Sequence, residues 1–301
     1  MTKQIQWLTP KVGYLPGVVN TGFLRNQQEV VIVDTGIDRD HGAKVLRALW
    51  AQELTPVLIV NTHSHADHCG GNAYLQKKCS LPVLAPVLEK AFIENPYLEP
   101  FGLFGAAHPP AALQNKFLKA TPSIVQSTYK PEDTGFQFGS FEIGLFPLPG
   151  HSPQQTGVVY DGILFSADVL LDPVYLDKHR IPFNADVKAH RESLSRLAEF
   201  SMKACVPAHG NPVEKPDSLV KRNREALDSI DEWILCRAEE PVTLDQLLAD
   251  FCLSMQVDME TISQYHLYRT ALAAHLSALS HRRQIRHFVE NSRLLWRTVC
   301  Q

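Results

Sequence analysis

The segment Thr62-His63-Ser64-His65-Ala66-Asp67-His68-Cys69-Gly70-Gly71 places three imidazoles and a carboxylate within six residues. Imidazole nitrogen combined with carboxylate oxygen is the donor set of zinc and of other first-row divalent ions. His63 and His65, two apart in an extended turn, can aim at one ion, and Asp67 and His68 just beyond can aim at a second. Three more donors follow strand-like runs: His151 after FEIGLFPLPG, Asp168 after GILFSA, and His209 after ACVPA and before Gly210. Strand ends are where open α/β sheets build their sites. Seven donors emerging on one rim could hold two ions with one carboxylate shared. No Gly-x-Ser-x-Gly elbow competes as a protein nucleophile.

The elements that must carry these residues are legible in outline. Apolar runs of strand length occur at Glu29–Asp34, Val57–Asn61, Phe141–Leu148 and Ile163–Ser166, with a shorter candidate at Cys205–Pro207. Helical patterns lie between them, as at His41–Gln52, with Asp40 marking its start, and at Ala189–Met202. Such alternation predicts an α/β layered fold. Residues of about 88–120, rich in aromatics and proline, read as a helical insertion. It is either a packed subdomain or a lid carrying Phe92, Tyr97, Phe101 and Phe104. From Asp217 the texture becomes helix-rich. Helices are expected at Asp217–Ala238, at Thr243–Phe251 (opened by a Thr243/Gln246 capping box) and at Thr261–Arg282. A hairpin follows at Ile285–Glu290 and Arg293–Val299, which is the order of a winged-helix unit. The expected domains are therefore 1–216, catalytic, and 217–301, winged-helix-like.

Bulk properties exclude several partners. The 301 residues carry a formal charge of −3, with 45% hydrophobic and 20% charged residues, near the averages of a globular protein. No global basic field advertises nucleic acid, and no apolar run is long enough for a bilayer. The opening MTKQIQWLTPKVG has no secretory pattern, so a cytoplasmic location is expected. Six cysteines (Cys69, Cys79, Cys205, Cys236, Cys252, Cys300) form no CxxC pair and are read as small buried hydrophobes. Cys69 is read as filling space under the ligand loop rather than as a redox sensor.

HSHADH at 63–68, the later His151, Asp168 and His209, and the early VDTG at 33–36 resemble the metallo-β-lactamase superfamily over residues 1 to about 215. The resemblance implies an αββα sandwich. It implies that His63, His65 and His151 hold a first metal, that Asp67, His68 and His209 hold a second, and that Asp168 bridges them. Asp34 resembles the residue that braces the ligand loop from behind. Two divalent ions, most simply zinc with iron or manganese as alternatives, lie roughly 3.5 Å apart in such sites and acidify a shared water. The expected chemistry is attack of the resulting hydroxide, with Asp67 and Asp168 as the catalytic carboxylates.

Within that superfamily the ligand set is similar to glyoxalase II-like thioesterases and lactonases. After His151, however, Ser-Pro-Gln-Gln-Thr stands where many of those enzymes have Thr-x-Gly-His. Secreted lactamases lack a carboxylate like Asp168, and flavodiiron proteins have Glu in place of His65. RNA-processing members with an inserted domain need more chain between Asp168 and His209. The C-terminal segment resembles an appendage found in a subgroup that includes an endoribonuclease. Here, though, residues 219–301 carry ten Lys/Arg against eleven Asp/Glu, a net of −1. Only the tail 281–301 is basic, with five Arg against one Glu. A concentrated basic footprint is missing, so the appendage is expected to pack on the catalytic domain, shape the pocket or form a homodimer.

The expected function is hydrolysis of a small ester, thioester or lactone. The alternatives are a ribonuclease or phosphodiesterase, and a mononuclear iron enzyme like persulfide dioxygenases. A nucleic-acid-binding regulator with a sensory metal site is disfavoured by retention of all seven donors. Tyr175, His179 and Arg180 are read as loop residues with local roles ahead of pocket residues. His41, His108, His190, His266, His275, His281 and His287 have no ligand-like context.

Overall fold

The computed structural model describes residues 4–299 and forms two sheets packed face to face. The first sheet has seven strands in sequential order: β1 (Gln6–Trp7), β2 (Val12–Leu15), β3 (Thr21–Asn26), β4 (Glu29–Val33), β5 (Thr55–Val60), β6 (Val83–Pro86) and β7 (Ser127–Tyr129). β1 to β4 are antiparallel, and β4 to β7 are parallel. The parallel steps need crossovers. α1 (Arg39–Trp50) supplies the first; α2 (Ala66–Cys69) and α3 (Asn72–Cys79) supply the second. The second sheet has the order β12-β11-β10-β9-β8, from β8 (Gly135–Phe138), β9 (Phe141–Pro147), β10 (Thr156–Tyr160), β11 (Ile163–Leu171) and β12 (Ala204–His209).

The alternation of the strands explains the layers. Val31, Val33, Leu58 and Val60 of the first sheet meet Ile143, Leu145, Val158, Phe165 and Val206 of the second in one buried cluster. The opposite face of the first sheet, with Ile32, Ile59 and Val83, is covered by Val45, Leu46 and Leu49 of α1 and by Leu75 of α3. The outer face of the second sheet is covered by α7 (Val187–Glu199) through Leu194 and Leu197. This is the expected αββα sandwich.

α8 (Asp217–Arg237) joins two cores. Leu219, Val220 and Leu227 pack on the outer face of the second sheet, while Ile230 and Ile234 enter a separate C-terminal core. That core is completed by α9 (Leu244–Met255), α10 (Ile262–His281) and the hairpin β13 (Ile285–Glu290) and β14 (Arg293–Thr298). The Thr243/Gln246 capping box is present, and Thr261 with Gln264 makes a second one.

Several expectations need correction. α1 is capped by Asp38, whose side chain accepts from the backbone of Asp40 and His41, so Asp40 lies inside the first turn. β11 runs to Leu171, so Asp168 sits within a strand, at a register irregularity rather than past its end. The insertion holds α4 (Val87–Glu94), α5 (Leu98–Leu103) and a 3-10 turn at Ala111–Leu113, with irregular chain between. Cys69, Cys205 and Cys252 are buried, but Cys79 is half-buried and Cys236 is exposed; Cys300 lies outside the described residues. No helix among the described residues is long and apolar enough to cross a membrane.

Candidate metal centre

All seven donors converge on one rim of the sandwich, between the two sheets. Donor atoms of His63, His65 and His151 lie within 4.8 Å of one another. The same holds for the trio Asp67, His68 and His209, and for His63, His68 and Asp168. Asp168 is central: its Oδ1 is 3.3 Å from His68 Nε2, and its Oδ2 is 3.2 Å from His151 Nε2 and 3.6 Å from His209 Nε2. Asp67 Oδ2 is 3.5 Å from His209 Nε2.

The local backbone explains the convergence. His63 and His65 leave β5 in an extended turn, and α2 then brings Asp67 and His68 back under them. Gly150 (φ +135°) delivers His151; a Cβ there would stand 2.4 Å from the backbone of His190 in α7, so only glycine fits. Ala167, at φ +49°, is in the left-handed region that alanine avoids, and it turns Asp168 toward the rim. Asp168 is also fixed by its backbone N–H, which donates to Gln155 Oε1 at 3.3 Å.

Three of the five rings, His68, His151 and His209, are oriented by a bond on the far side. His151 Nδ1 donates to the Phe183 carbonyl at 2.9 Å and His209 Nδ1 to the Val18 carbonyl at 2.8 Å. A carbonyl can only accept, so in both rings Nδ1 carries a proton and Nε2 faces inward. His68 Nδ1 contacts Asp34 Oδ2 at 2.7 Å, and Asp34 also accepts from Thr62 N–H at 2.9 Å and Thr62 Oγ1 at 2.7 Å. This is the bracing role expected of Asp34.

The interior ends of these rings are where the fit to metal is tested. His63 Nε2, His68 Nε2 and Asp168 Oδ1 are buried and make no hydrogen bond, the last two facing each other at 3.3 Å as an ion pair without hydrogen-bond geometry. Three orphaned buried polar atoms in one cluster would be costly unless a ligand satisfies them. Nitrogen and carboxylate donors at this spacing suit a pair of divalent cations. The residues present therefore fit the metals that the resemblance implies.

Electrostatics agree. Burial opposes ionisation of Asp67, but His68 and His209 outweigh it and hold the carboxyl down at about 2. Burial likewise works against Asp168, and His68, His209 and His151 carry it well below the usual carboxylate range. Burial pushes the His209 imidazole down, yet Asp168 and Asp67 carry it up to about 12. Burial, with the neighbouring imidazoles of His65 and His68, lowers His151 to about 4 despite Asp168. Burial also opposes the charge on His68, yet Asp168, Asp34 and Asp67 raise it well above the usual imidazole range, so His68 and His209 stand in for cations around two carboxylates, and a divalent ion would displace those protons.

Two acidic residues not anticipated from the sequence belong to this region. Glu89, on the first turn of α4 and 1% exposed, accepts from Ser64 N–H at 3.1 Å and Ser64 Oγ at 2.5 Å. Its other oxygen accepts from Ser152 Oγ at 2.8 Å and Gln154 N–H at 2.9 Å. One carboxylate thereby ties the His63–His65 loop to the His151 loop. Glu99 of α5 lines the pocket beside His65 and Asp67, and burial, followed by the charge of Glu89, raises its carboxyl to about 7. Neither had a local signal beyond an acid in the first turn of a short helix.

Of the two readings of the insertion, Tyr97, Phe101 and Phe104 follow the packed one. Tyr97 packs on Phe101 and His108, and Phe104 meets His266 of α10. Phe92, Tyr97, Phe101 and Phe104 line neither cavity at the centre; Phe117 and Leu118 of the same insertion do. Tyr175, His179 and Arg180, expected to have local roles, all stand on the wall of the larger cavity. The Cys69 Sγ donates to the Ser64 carbonyl at 3.2 Å, and burial pushes its thiol up, as a space-filling neighbour requires.

The profile of the metallo-β-lactamase superfamily matches residues 14–209. The probable metallo-hydrolase YybB of Bacillus subtilis is 26% identical over 67% of this chain and 86% of its own length. Hydroxyacylglutathione hydrolase of Xanthomonas campestris is 31% identical over 49% of this chain, and the match spans 44% of that enzyme. A metallo-β-lactamase family protein from Thermus thermophilus superposes with a TM-score of 0.75 at 19% identity, over 97% of this chain and all of that one. A β-lactamase domain protein from Burkholderia ambifaria gives 0.71 at 18% identity, over 98% and 93%.

Proposed function

The chain belongs to the metallo-β-lactamase superfamily and is a hydrolase, and from that premise we propose that it uses two divalent metal ions to cleave a small ester, thioester or lactone. The observation that carries this reading is the set of orphaned, inward-facing atoms, His63 Nε2, His68 Nε2 and Asp168 Oδ1, at the junction of two donor trios. His63, His65 and His151 would hold one ion, Asp67, His68 and His209 the other, with Asp168 shared. Zinc fits this donor set, with iron or manganese as alternatives. When bound, the ions supply an acidified water and an electrophile for the scissile oxygen.

The chain's own residues do the rest. Asp34 and the carbonyls of Phe183 and Val18 hold the rings of His68, His151 and His209 with Nε2 inward, and His151 Nε2 lies 2.8 Å from His65 Nδ1. Asp67, whose side chain is 31% exposed, faces the cavity and is placed to take a proton from the attacking water and return it to the leaving group. Phe117, Leu118, Phe183 and Leu267 surround the rim and keep bulk water from the reacting carbonyl.

The small-substrate reading is supported by what the C-terminal elements contribute. They line the cavity with Gln256, Val257, Asp258, Gln264, Leu267 and Tyr268, while the arginines of 282–297 line neither cavity. Those arginines therefore do not extend either cavity into a basic path from the donors, which is the arrangement a nuclease reading would favour. We take 1–216 as the catalytic domain and 217–301 as a winged-helix-like domain that closes the cleft, in a protein of the cytoplasm.

The test is a panel assay of the metal-loaded chain on hydroxyacyl thioesters, lactones, p-nitrophenyl esters and bis(p-nitrophenyl) phosphate, with Asp168→Asn as control. Turnover of a carboxylic ester, thioester or lactone that the variant lacks is expected. Phosphodiester cleavage alone, or oxygen uptake without hydrolysis, would overturn the reading.

A further inference from the structure

The donors differ in what stands behind them. His68 and His209 are braced from within the catalytic fold, by Asp34 and by the Val18 carbonyl. Glu89 reaches the loop just past His151, at Ser152 and Gln154. The His151 ring itself and the turn before it lie against the segment 179–193. The ring donates to the Phe183 carbonyl, and the His151 carbonyl accepts from the Ala185 N–H at 3.3 Å. Gly150 accepts from the Asp186 N–H at 2.9 Å, and Pro149 from Ser193 Oγ at 2.7 Å. A Cβ on Gly150 would stand 2.4 Å from the backbone of His190, so no slack separates this turn from α7. A shift of the segment is a shift of His151.

The C-terminal helices pin that segment at both ends. At its start, His179, the last residue of α6 (Pro173–His179), accepts at its carbonyl from Tyr268 Oη of α10 at 2.6 Å, and Ile181 is buried in the C-terminal core. Near its other end, Arg191 reaches α8. Its Nη2 donates to Asp231 Oδ2 at 2.8 Å and its Nη1 to Asp228 Oδ1 at 2.5 Å. Asp231 is buried, and it also accepts from Arg282 Nη2 at 2.5 Å and from His275 Nδ1 of α10 at 2.6 Å. Burial opposes its charge, yet His275, Arg282 and Arg191 hold the carboxyl below its usual range.

A buried ion cluster is a weak source of stability, because desolvation offsets most of the attraction between the charges. This one also leaves Arg191 Nε and His275 Nε2 buried without a hydrogen-bond partner. The apolar contacts among the same helices, Leu194 and Leu197 of α7 with Leu227 of α8 and Ala274 of α10, stabilise without fixing a direction. The guanidinium fork of Arg191 does fix one, since its two Nη groups meet two carboxylates three residues apart on one face of α8. What the cluster supplies is the register of α7 against the C-terminal helices.

We propose that Arg191, held by Asp231, is a positioning residue for the metal centre. Through it the C-terminal domain sets the place of His151, and with it the ion held by His63, His65 and His151. The ion held by Asp67, His68 and His209 does not depend on this link, because its supports lie within the catalytic fold. This rests on the two-metal reading above.

The test uses the full chain with Arg191→Met, which keeps the aliphatic stem, cuts the link to α7 and leaves Asp231 with Arg282 and His275. As control, Arg237→Met removes an ion pair to Asp250 that lies wholly within the C-terminal domain. Zinc affinity is read by competition with a chromophoric chelator, and the dissociation constant that disappears in His151→Ala marks the first site. Arg191→Met is expected to weaken that constant about tenfold and to leave the other within about twofold; Arg237→Met should change neither selectively. Arg191→Lys, which keeps the charge but loses the fork, should show the same selective weakening at about threefold, and it carries the test should Arg191→Met fail to fold. On the metal-free chain, hydrogen exchange of the Ala185 and Asp186 amides should quicken about tenfold in Arg191→Met and not in Arg237→Met. An unchanged first constant, an equal change in both, or exchange that does not distinguish the two variants would overturn the proposal. A wild type that binds one ion or none contradicts the two-metal reading instead, and the exchange comparison still decides the role of Arg191.

Discussion

Replacing Glu89 by glutamine tests how the two ligand loops are held together. The carboxylate accepts four hydrogen bonds, two at each oxygen, from Ser64 and from the Ser152–Gln154 segment. Glutamine keeps one accepting oxygen and presents an amide that can only donate. Whichever way the amide turns, one backbone N–H, of Ser64 or of Gln154, faces a donor. The hydroxyl on that side can rotate to accept, but the backbone donor cannot. Losing a charge-assisted bond and orphaning a buried N–H costs roughly 2–4 kcal/mol. The carboxylate also sits in the first turn of α4, so its interaction with the helix N-terminus, about 0.5 kcal/mol, is lost as well. Because both tethered loops carry donors, metal affinity should fall by about 10- to 100-fold, the usual cost of removing a support behind the ligands. Urea unfolding of the metal-free chain reads the first quantity, and competition with a chromophoric chelator reads the second. An unchanged denaturation midpoint together with metal affinity within about threefold of wild type would refute the reasoning.

Other expectations follow from the same geometry. Asp34→Asn keeps the left-handed backbone that asparagine tolerates but removes the charge behind His68, so metal held by the Asp67–His68–His209 trio should be lost first, read as metal equivalents retained after dialysis. His190 is buried, and burial, with the nearby His151, lowers it to about 3. An unfolded chain takes up that proton below about pH 6.5 while the folded chain refuses it, so stability is lost as pH falls from there toward 3. The loss is about 2 kcal/mol by pH 5, and His190→Leu should flatten that part of the stability–pH curve; parallel curves would contradict it. Stripping metal with a chelator should lower the thermal midpoint, because three buried polar atoms lose their partner, and re-addition should restore it.

What could be seen in the sequence, and what could not, follows the range of each signal. The HSHADH loop, His151, Asp168 and His209 stand out locally because polar residues after apolar β-branched runs interrupt a pattern, and all seven converge. Among the C-terminal helices, α9 was legible from Thr243, three residues before Gln246, while the matching box of Thr261 and Gln264 at the start of α10 came from the structure. Strands such as β2, β3, β6 and β10 were not, being short and buried on both faces, with Val83–Pro86 ending in proline. Glu89 was invisible because its partners lie 25 to 65 residues away, and nothing in LEKAFIE distinguishes a buried bridging acid from a solvated one. The insertion's aromatics left two readings open, a packed subdomain or a lid. Tyr97 and Phe101 pack on each other and Phe104 meets His266 of α10, while Phe117 and Leu118 face the site. Asp168 lies inside a strand since the Ala167 distortion, not the end of the strand, sets its direction.

The most direct test of the two-metal centre is elemental analysis of the full chain, purified without added metal and then saturated and desalted. The account predicts about two equivalents of zinc, iron or manganese per chain, about one in a His151→Ala or His209→Ala variant, and fewer than one in Asp168→Asn, whose position between the trios serves both. A wild-type chain that retains a single ion, or none, would contradict it.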